Sequence, residues 1–264
     1  MRPTIVSANF LTDNPALYEQ RFPDPEHLAA RFVDDLVRRF GGGRDLLDVG
    51  CGTGRDARHW TTRGYRVTGL DISPQMVEHA HKHCPAGRFA VADMRTFRLP
   101  REFDVITCLD SALLYCHTNP ELDAFLQRCH RHLRPGGLLV AEMRNGAFFL
   151  GNTELLDEVR EQEVVWDGVT YRSRTRLWID HANQLLRRER SWDWPGRDEP
   201  LVQRSAWRLL FPQELRCFAA RHGFEVLAMF DEPGPRARTP WHPDAELSTR
   251  LSGDRLHLVL RRPG

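Results

Sequence analysis

An acid and three glycines alternate with other residues in Asp48-Val49-Gly50-Cys51-Gly52-Thr53-Gly54. Leu46 and Leu47 lead into this run, and a polar stretch beginning at Arg55 follows it. The order reads as a buried parallel strand, a tight turn and the start of a helix. Glycine at positions 50 and 52 lets a ligand lie against bare backbone, where a side chain would collide with it. Amides opening the helix, near Arg55 and Asp56, point at that ligand. A second acid, Asp71, closes the apolar run from Tyr65, about twenty residues beyond the glycines, the spacing a crossover helix requires. A carboxylate there can accept hydrogen bonds from both hydroxyls of a ribose. A third acid, Asp93, ends a third strand expected over Arg88 to Asp93.

The glycine spacing narrows the ligand. A dinucleotide fold expects G-x-G-x-x-G, with pyrophosphate on the helix N-terminus. Here the third glycine comes one residue early, and no Gly-Lys-Ser or Gly-Lys-Thr marks a phosphate loop. Asp48-x-Gly50-x-Gly52-x-Gly54 resembles the first motif of class I S-adenosylmethionine (SAM) methyltransferases. Asp71, Ala92-Asp93-Met94 and Arg134-Pro135-Gly136-Gly137 follow in the family's order, so the resemblance runs from Leu46 to Met143. It implies a doubly wound, Rossmann-like α/β fold with a seven-stranded sheet. It also implies SAM as cofactor, its amino-acid and ribose parts lying against Asp48, Gly50, Cys51 and Gly52. Asp71 is the expected ribose ligand, Asp93 the partner of the adenine amino group, and Met94 an amide donor. Ile72, Met76 and Leu109 complete the expected adenosine surroundings. An N-terminal segment often closes over the ligands in this family, with a tyrosine contributing; Tyr18 is the candidate. Two rivals stay open: a SAM-binding protein without transfer activity, and an NAD-dependent oxidoreductase, which the early glycine disfavours.

Methyl transfer from a sulfonium is an in-line displacement, so alignment of the reactants carries most of the catalysis. An amine need only be neutral, whereas a hydroxyl gains more from a base. Candidate groups follow the fourth and fifth strands, where ligands gather in such sheets. Asp110, Tyr115 and His117 are the catalytic candidates, with Ser111 among them in sequence. Asp110 is suited to receiving a proton or anchoring an amine, and His117 to acting as a base or standing in a solvated loop. Glu142, Arg144 and Asn145 follow the fifth strand, and Arg144 and Asn145 are the candidate substrate residues. The fourth strand is followed by Leu109-Asp110-Ser111-Ala112, without the Asn-Pro-Pro-Tyr or Asp-Pro-Pro-Tyr run of nucleic-acid amino methyltransferases. Residues 92–99 and 109–115 are similar to N-methyltransferases of bacterial amino sugars. A small-molecule methyl acceptor in bacterial biosynthesis is the implied substrate class, with nitrogen slightly favoured over oxygen.

The 264 residues, 41% hydrophobic, suffice for one large α/β domain with an insertion. A net charge of +1 leaves no basic footprint for nucleic acid. No run reaches the ~20 apolar residues of a membrane span, and Met1 to Phe10 lacks a signal-peptide pattern, so a cytoplasmic protein is expected. The 6 cysteines show no C-x-x-C pairing, so no metal site is expected. A homodimer is left open. Three segments are expected: 1–150 as N-terminal cap and SAM-binding core, 151–210 as an antiparallel insertion serving as substrate lid, and 211–264 as the last helix and strands of the core. The insertion alternates apolar and polar residues and carries Trp166, Trp178, Trp192, Trp194 and Trp207. Most of these suit the core of the small sheet, with one or two left to face the cleft. Asp24-Pro25 is read as the start of a helix through Phe40.

Overall fold

A computed structural model describes residues 9–264 apart from 155 and 157. The opening stretch read for a signal pattern lies outside the described residues up to position 8. Elements are numbered in chain order. Five strands come from alternation of strand and helix: β1 (Asp45–Val49), β2 (Arg66–Asp71), β3 (Arg88–Val91), β4 (Phe103–Cys108) and β5 (Leu133–Arg144). The helices between and before them are α1 (Pro15–Arg21), α2 (Leu28–Phe40), α3 (Arg55–Thr62), α4 (Pro74–His83) and α5 (Asn119–His132). The chain then forms β6 (Arg160–Trp166), β7 (Val169–Asp180), β8 (Leu185–Asp193) and β9 (Leu201–Arg208). It returns through α6 (Pro212–Arg221), β10 (Glu225–Phe230) and β11 (Arg255–Arg261).

The main sheet has seven strands in the order β10-β11-β5-β4-β1-β2-β3. The first five strands pair in parallel, and β11 runs antiparallel between β10 and β5. β1 is buried along its whole length, as expected where helices cover both faces. On one face α2 buries Phe32, Val33, Leu36 and Val37, each burial stabilising by roughly 1.5–3 kcal/mol. The second sheet, β6-β7-β8-β9, is a separate antiparallel meander. Among the described residues no helix is long and apolar enough to cross a membrane.

One local expectation needs correction. Helix α2 starts at Leu28 rather than at Pro25, because Asp24 to His27 form a turn closed by the His27 amide on the Asp24 carbonyl (3.1 Å). Asp24 still caps the helix from outside it, its carboxylate accepting the Leu28 amide at 2.9 Å. Arg134-Pro135-Gly136-Gly137 lies inside β5 as an irregularity in its register with β4. Its guanidinium reaches Asp45 (3.0 Å), which Arg66 and Arg101 also hold, at the edge where the parallel strands begin. These arginines keep the Asp45 carboxyl well below the usual carboxylate range.

His257 on β11 is buried against Phe230 (4.7 Å between ring centres) and Phe32 (5.0 Å). Burial pushes its imidazole down to about 4, so the folded protein holds it neutral. The folded value lies below the ordinary 6.5, so this site contributes stability above pH 6.5 that is lost as pH falls towards 4. His257→Leu should therefore flatten the acid side of the stability profile by up to about 3 kcal/mol. Chemical denaturation at several pH values checks this; identical slopes for both proteins would refute it.

Candidate active site

The glycine turn is fixed from beneath. The amides of Gly50 and Cys51 donate to the Leu70 carbonyl at 2.7 and 3.0 Å. Gly50 has φ +81°, and a Cβ there would stand 2.8 Å from the Ala112 Cβ. Gly52 also has positive φ, but a Cβ added there would meet nothing within 4 Å. Bare backbone at Gly52 therefore faces open space, the cradle expected for a ligand. Asp71 lies alongside. Its Oδ2 accepts the Gly52 amide and its Oδ1 the Ser73 amide, each at 2.9 Å. Each oxygen keeps a further lone pair, so the carboxylate can pin the turn and still receive two hydroxyls. Burial pushes its carboxyl above the usual range.

Further carboxylates gather at this end of the sheet. Asp48 is buried below the turn and accepts from the Thr107 hydroxyl at 2.7 Å. Burial, reinforced by Asp56, Asp71 and Asp110, raises its carboxyl to about 7. Asp56, in the first turn of α3, has one carboxylate oxygen buried without a hydrogen-bond partner among the described residues. Burial raises it to about 6. Asp110 follows β4 with φ +56°, and Ser111 with φ +63°, an unusual pair of left-handed non-glycine residues. The Asp110 amide donates to Glu142 (2.9 Å), the Ser111 amide to the Glu142 carbonyl (3.0 Å), and the Arg144 amide to the Ser111 hydroxyl (3.1 Å). These bonds hold the strained turn and present the Asp110 carboxylate, which receives the Tyr18 hydroxyl at 3.4 Å and pairs with Arg236. Burial raises the Asp110 carboxyl while Arg236 opposes it.

Helix α1 brings Tyr18 to this point from between the two sheets. Arg55 on α3 donates to the Phe22 carbonyl (2.6 Å), and Gln20 donates to the Val165 carbonyl of β6 (2.6 Å). Phe10 packs on Trp192 (5.0 Å) and Trp194 (5.3 Å). The N-terminal segment thus joins the small sheet to the glycine-turn region.

Several expected site residues lie elsewhere. Asn145 is buried and saturated: its amide donates to the carbonyls of Leu251 (2.8 Å) and Gly253 (3.0 Å), and its oxygen accepts from Ala147 (3.0 Å). It fixes the chain after β5 and presents nothing to a substrate. Met76 is only 2% exposed, so its side chain is packed inside rather than set against adenine. His117 lies against β9, its Nε2 2.9 Å from the Ala206 carbonyl, and docks the small sheet rather than serving as a base. The Asp93 carboxylate is engaged by Arg95 through the backbone amide (2.8 Å) and the guanidinium (2.9 Å), which holds it below the usual range. Ile72 is exposed on the rim, and Cys51 is buried in the turn. Met94 and Leu109 are half-buried, Met94 lying 3.7 Å from the Cys116 sulfur. Tyr115 is exposed, and Arg144 has no ion pair among the described residues. The Asp56 carboxylate, as distinct from its amide, and Arg236 were not found from sequence. Asp56 stands two residues past the motif that ends at Gly54, while Arg236 belongs to the 231–252 loop, whose sequence does not single out this arginine.

The family described as "Methyltransferase domain" matches residues 46–137. Over those residues the chain is similar to methyltransferase domains. It is 40% identical over 111 residues to the dTDP-3-amino-3,4,6-trideoxy-alpha-D-glucopyranose N,N-dimethyltransferase of Streptomyces venezuelae, covering 42% of this chain and 47% of that one. It is 32% identical over 165 residues to a malonyl-[acyl-carrier protein] O-methyltransferase of Enterobacter lignolyticus, covering 61% and 57%. The chain spans about half the length of the first curated relatives it matches. Among solved structures it is similar to a SAM-bound amino pentose methyltransferase of calicheamicin biosynthesis from Micromonospora echinaspora. That likeness has a TM-score of 0.70 and 27% identity, covering 94% of this chain and 95% of that one.

Gly50→Ala should destabilise the protein by more than about 1 kcal/mol, through the positive φ and the overlap with Ala112. Urea denaturation measures this, and unchanged stability would refute the fixed geometry of the turn.

Proposed function

We propose that this protein transfers a methyl group from SAM to an amine of a small molecule, in the manner of the amino-sugar N-methyltransferases. The observation that carries the reading is the bare backbone at Gly52 beside Asp71, with the unpartnered Asp56 oxygen close to the same turn. SAM supplies a methyl group activated by a positively charged sulfur. This chain's residues bind and align it: Asp71 takes the ribose hydroxyls, and Gly52 offers bare backbone to the amino-acid part. The free oxygen of Asp56 suits the ammonium of that part. Met94 and Leu109 border the adenine, with Asp93 and Arg95 at its edge.

The acceptor amine lies beside Asp110 and Tyr18. Its nitrogen lone pair forms the new bond to the methyl carbon as the carbon–sulfur bond breaks, leaving S-adenosylhomocysteine. The amine must reach the site neutral, and Asp110 is placed to take the proton it loses. Tyr18 keeps its proton because burial and Asp110 both raise its hydroxyl, so it serves as a donor that orients Asp110. An amine is preferred over a hydroxyl because the base beside Tyr18, Asp110, is a carboxylate already paired with Arg236.

Asp71→Ala should weaken SAM binding at least about tenfold through lost charge-assisted hydrogen bonds. Asp110→Asn should keep SAM affinity and lose most turnover on amine acceptors. Calorimetry with SAM and a methylation assay separate the two; unchanged SAM affinity in Asp71→Ala would sink the ribose assignment. Binding of a cation should also expel protons from Asp48 and Asp56, whose carboxyls are raised to about 7 and about 6. SAM affinity should thus rise with pH between about 5.5 and 7. Titration in buffers of different ionisation enthalpy reads the released protons, and a flat profile would count against these carboxylates meeting the cofactor.

A further inference from the structure

Glu142 and Asp110 lie side by side at the site, and each pairs with an arginine, but the two pairs are built differently. Glu142 on β5 meets Arg255 of the neighbouring strand β11 at 3.0 Å, where the two side chains are 7% and 13% exposed. Strand register fixes that pair. Asp110 meets Arg236, which comes from the 231–252 loop, and the two side chains stay 33% and 32% exposed. Water already reaches this pair, so another donor can compete for the carboxylate without opening the core.

The loop that carries Arg236 is rooted on both sides of it. At its base the Ser248 amide donates to the Glu232 carbonyl (2.7 Å) and the Asp231 amide to the Ser248 carbonyl (3.2 Å). Its later part is tied to α2. Trp241 Nε1 donates to the Asp35 carboxylate (3.2 Å), Arg38 pairs with Asp244 (2.9 Å) and Arg39 donates to the Ala245 carbonyl (2.9 Å). The tip, 234–240, bonds to itself, through the Gly234 amide on the Thr239 carbonyl (3.2 Å) and the Ala237 amide on the Gly234 carbonyl (3.3 Å). Gly234 seats it against β11, where a Cβ would stand 2.4 Å from the His257 Cε1. Arg236 is thus placed by its ion pair with Asp110, between roots that need not move for it to leave.

We propose that Arg236 stands in for the acceptor amine at Asp110 and is displaced by it, which makes Arg236 a specificity-determining residue. This rests on the methyl-transfer reading, which places the acceptor nitrogen beside Asp110 and Tyr18. A guanidinium and an amine offer the same kind of N–H donor to the same carboxylate. The reaction itself favours the exchange. Methyl transfer leaves a positive charge on the acceptor nitrogen until its proton is lost, and a guanidinium held against the same carboxylate repels that charge. The Arg236 charge also opposes the rise that burial imposes on the Asp110 carboxyl, so its withdrawal makes Asp110 a stronger base as the acceptor arrives. A molecule with no donor for Asp110 gains nothing to offset the lost ion pair, and the loop tip excludes it.

Two measurements on the full chain test this. Without any ligand, Asp110→Asn should release the tip, so that amide hydrogen exchange over 234–240 speeds up severalfold while 241–248 stays unchanged. Equal exchange in both proteins overturns the placement of Arg236 by Asp110. With S-adenosylhomocysteine present, glucosamine at pH 7 is the amine probe for calorimetry. Arg236→Gln should bind it at least about tenfold more tightly than wild type, Arg236→Lys should stay near wild type, and Asp110→Asn should lose it. A merely structural role predicts weaker binding in Arg236→Gln instead. Equal or weaker binding by Arg236→Gln, or no glucosamine binding by any of these proteins, overturns the stand-in. SAM titrated into the same proteins tests methyl transfer separately. Binding as tight as in wild type shows that Arg236→Gln folds, and should that variant not fold, Arg236→Ala gives the same comparison. Absence of SAM binding by the wild type overturns methyl transfer, while the exchange result still reports whether Asp110 holds the loop tip.

Discussion

The contact on which the site depends is the Asp71 carboxylate bridging the amides of Gly52 and Ser73. One acid joins the end of β2, the glycine turn after β1 and the start of α4. It reaches the turn because β1 and β2 pair in parallel, with Val49 beside Leu70, and because the Leu70 carbonyl receives both Gly50 and Cys51. Both carboxylate oxygens are engaged by backbone, so the acid is oriented before any ligand arrives. Preorganised acceptors of this kind need little rearrangement on binding.

Around this contact the fold accepts an electrostatic cost. Burial raises the carboxyls of Asp48, Asp56 and Asp110, with Asp110 adding to the other two and Glu142 adding to Asp110. Arg55 and Arg236 offset part of that cost at the open end. An arrangement that destabilises the free protein becomes favourable when a cation lies between the acids, and a sulfonium nucleoside with an ammonium group is such a cation.

The parts legible in the sequence are those whose partners are close in the chain or set by strand order. The glycine turn and Asp71 declared themselves because a βαβ unit ties their spacing to geometry. The antiparallel meander was legible in its alternation and turn residues, as was the closing pair of strands. Side-chain roles with distant partners were not. Asn145 is polar and follows a strand, which suggests a ligand, yet its amide meets carbonyls 106 and 108 residues away. His117 bonds a carbonyl 89 residues on. Arg236 is one of many arginines in the chain, and its pairing with Asp110 depends on the path of a loop between β10 and β11. Packing, rather than local pattern, decides such cases.

The most direct test of the central claim is calorimetric titration of the purified protein with SAM, its demethylated product and NAD. Micromolar binding of SAM and of the demethylated product, with none of NAD, is the predicted result. Absence of binding by both SAM and its product would contradict the account, and the glycine turn would then serve another ligand.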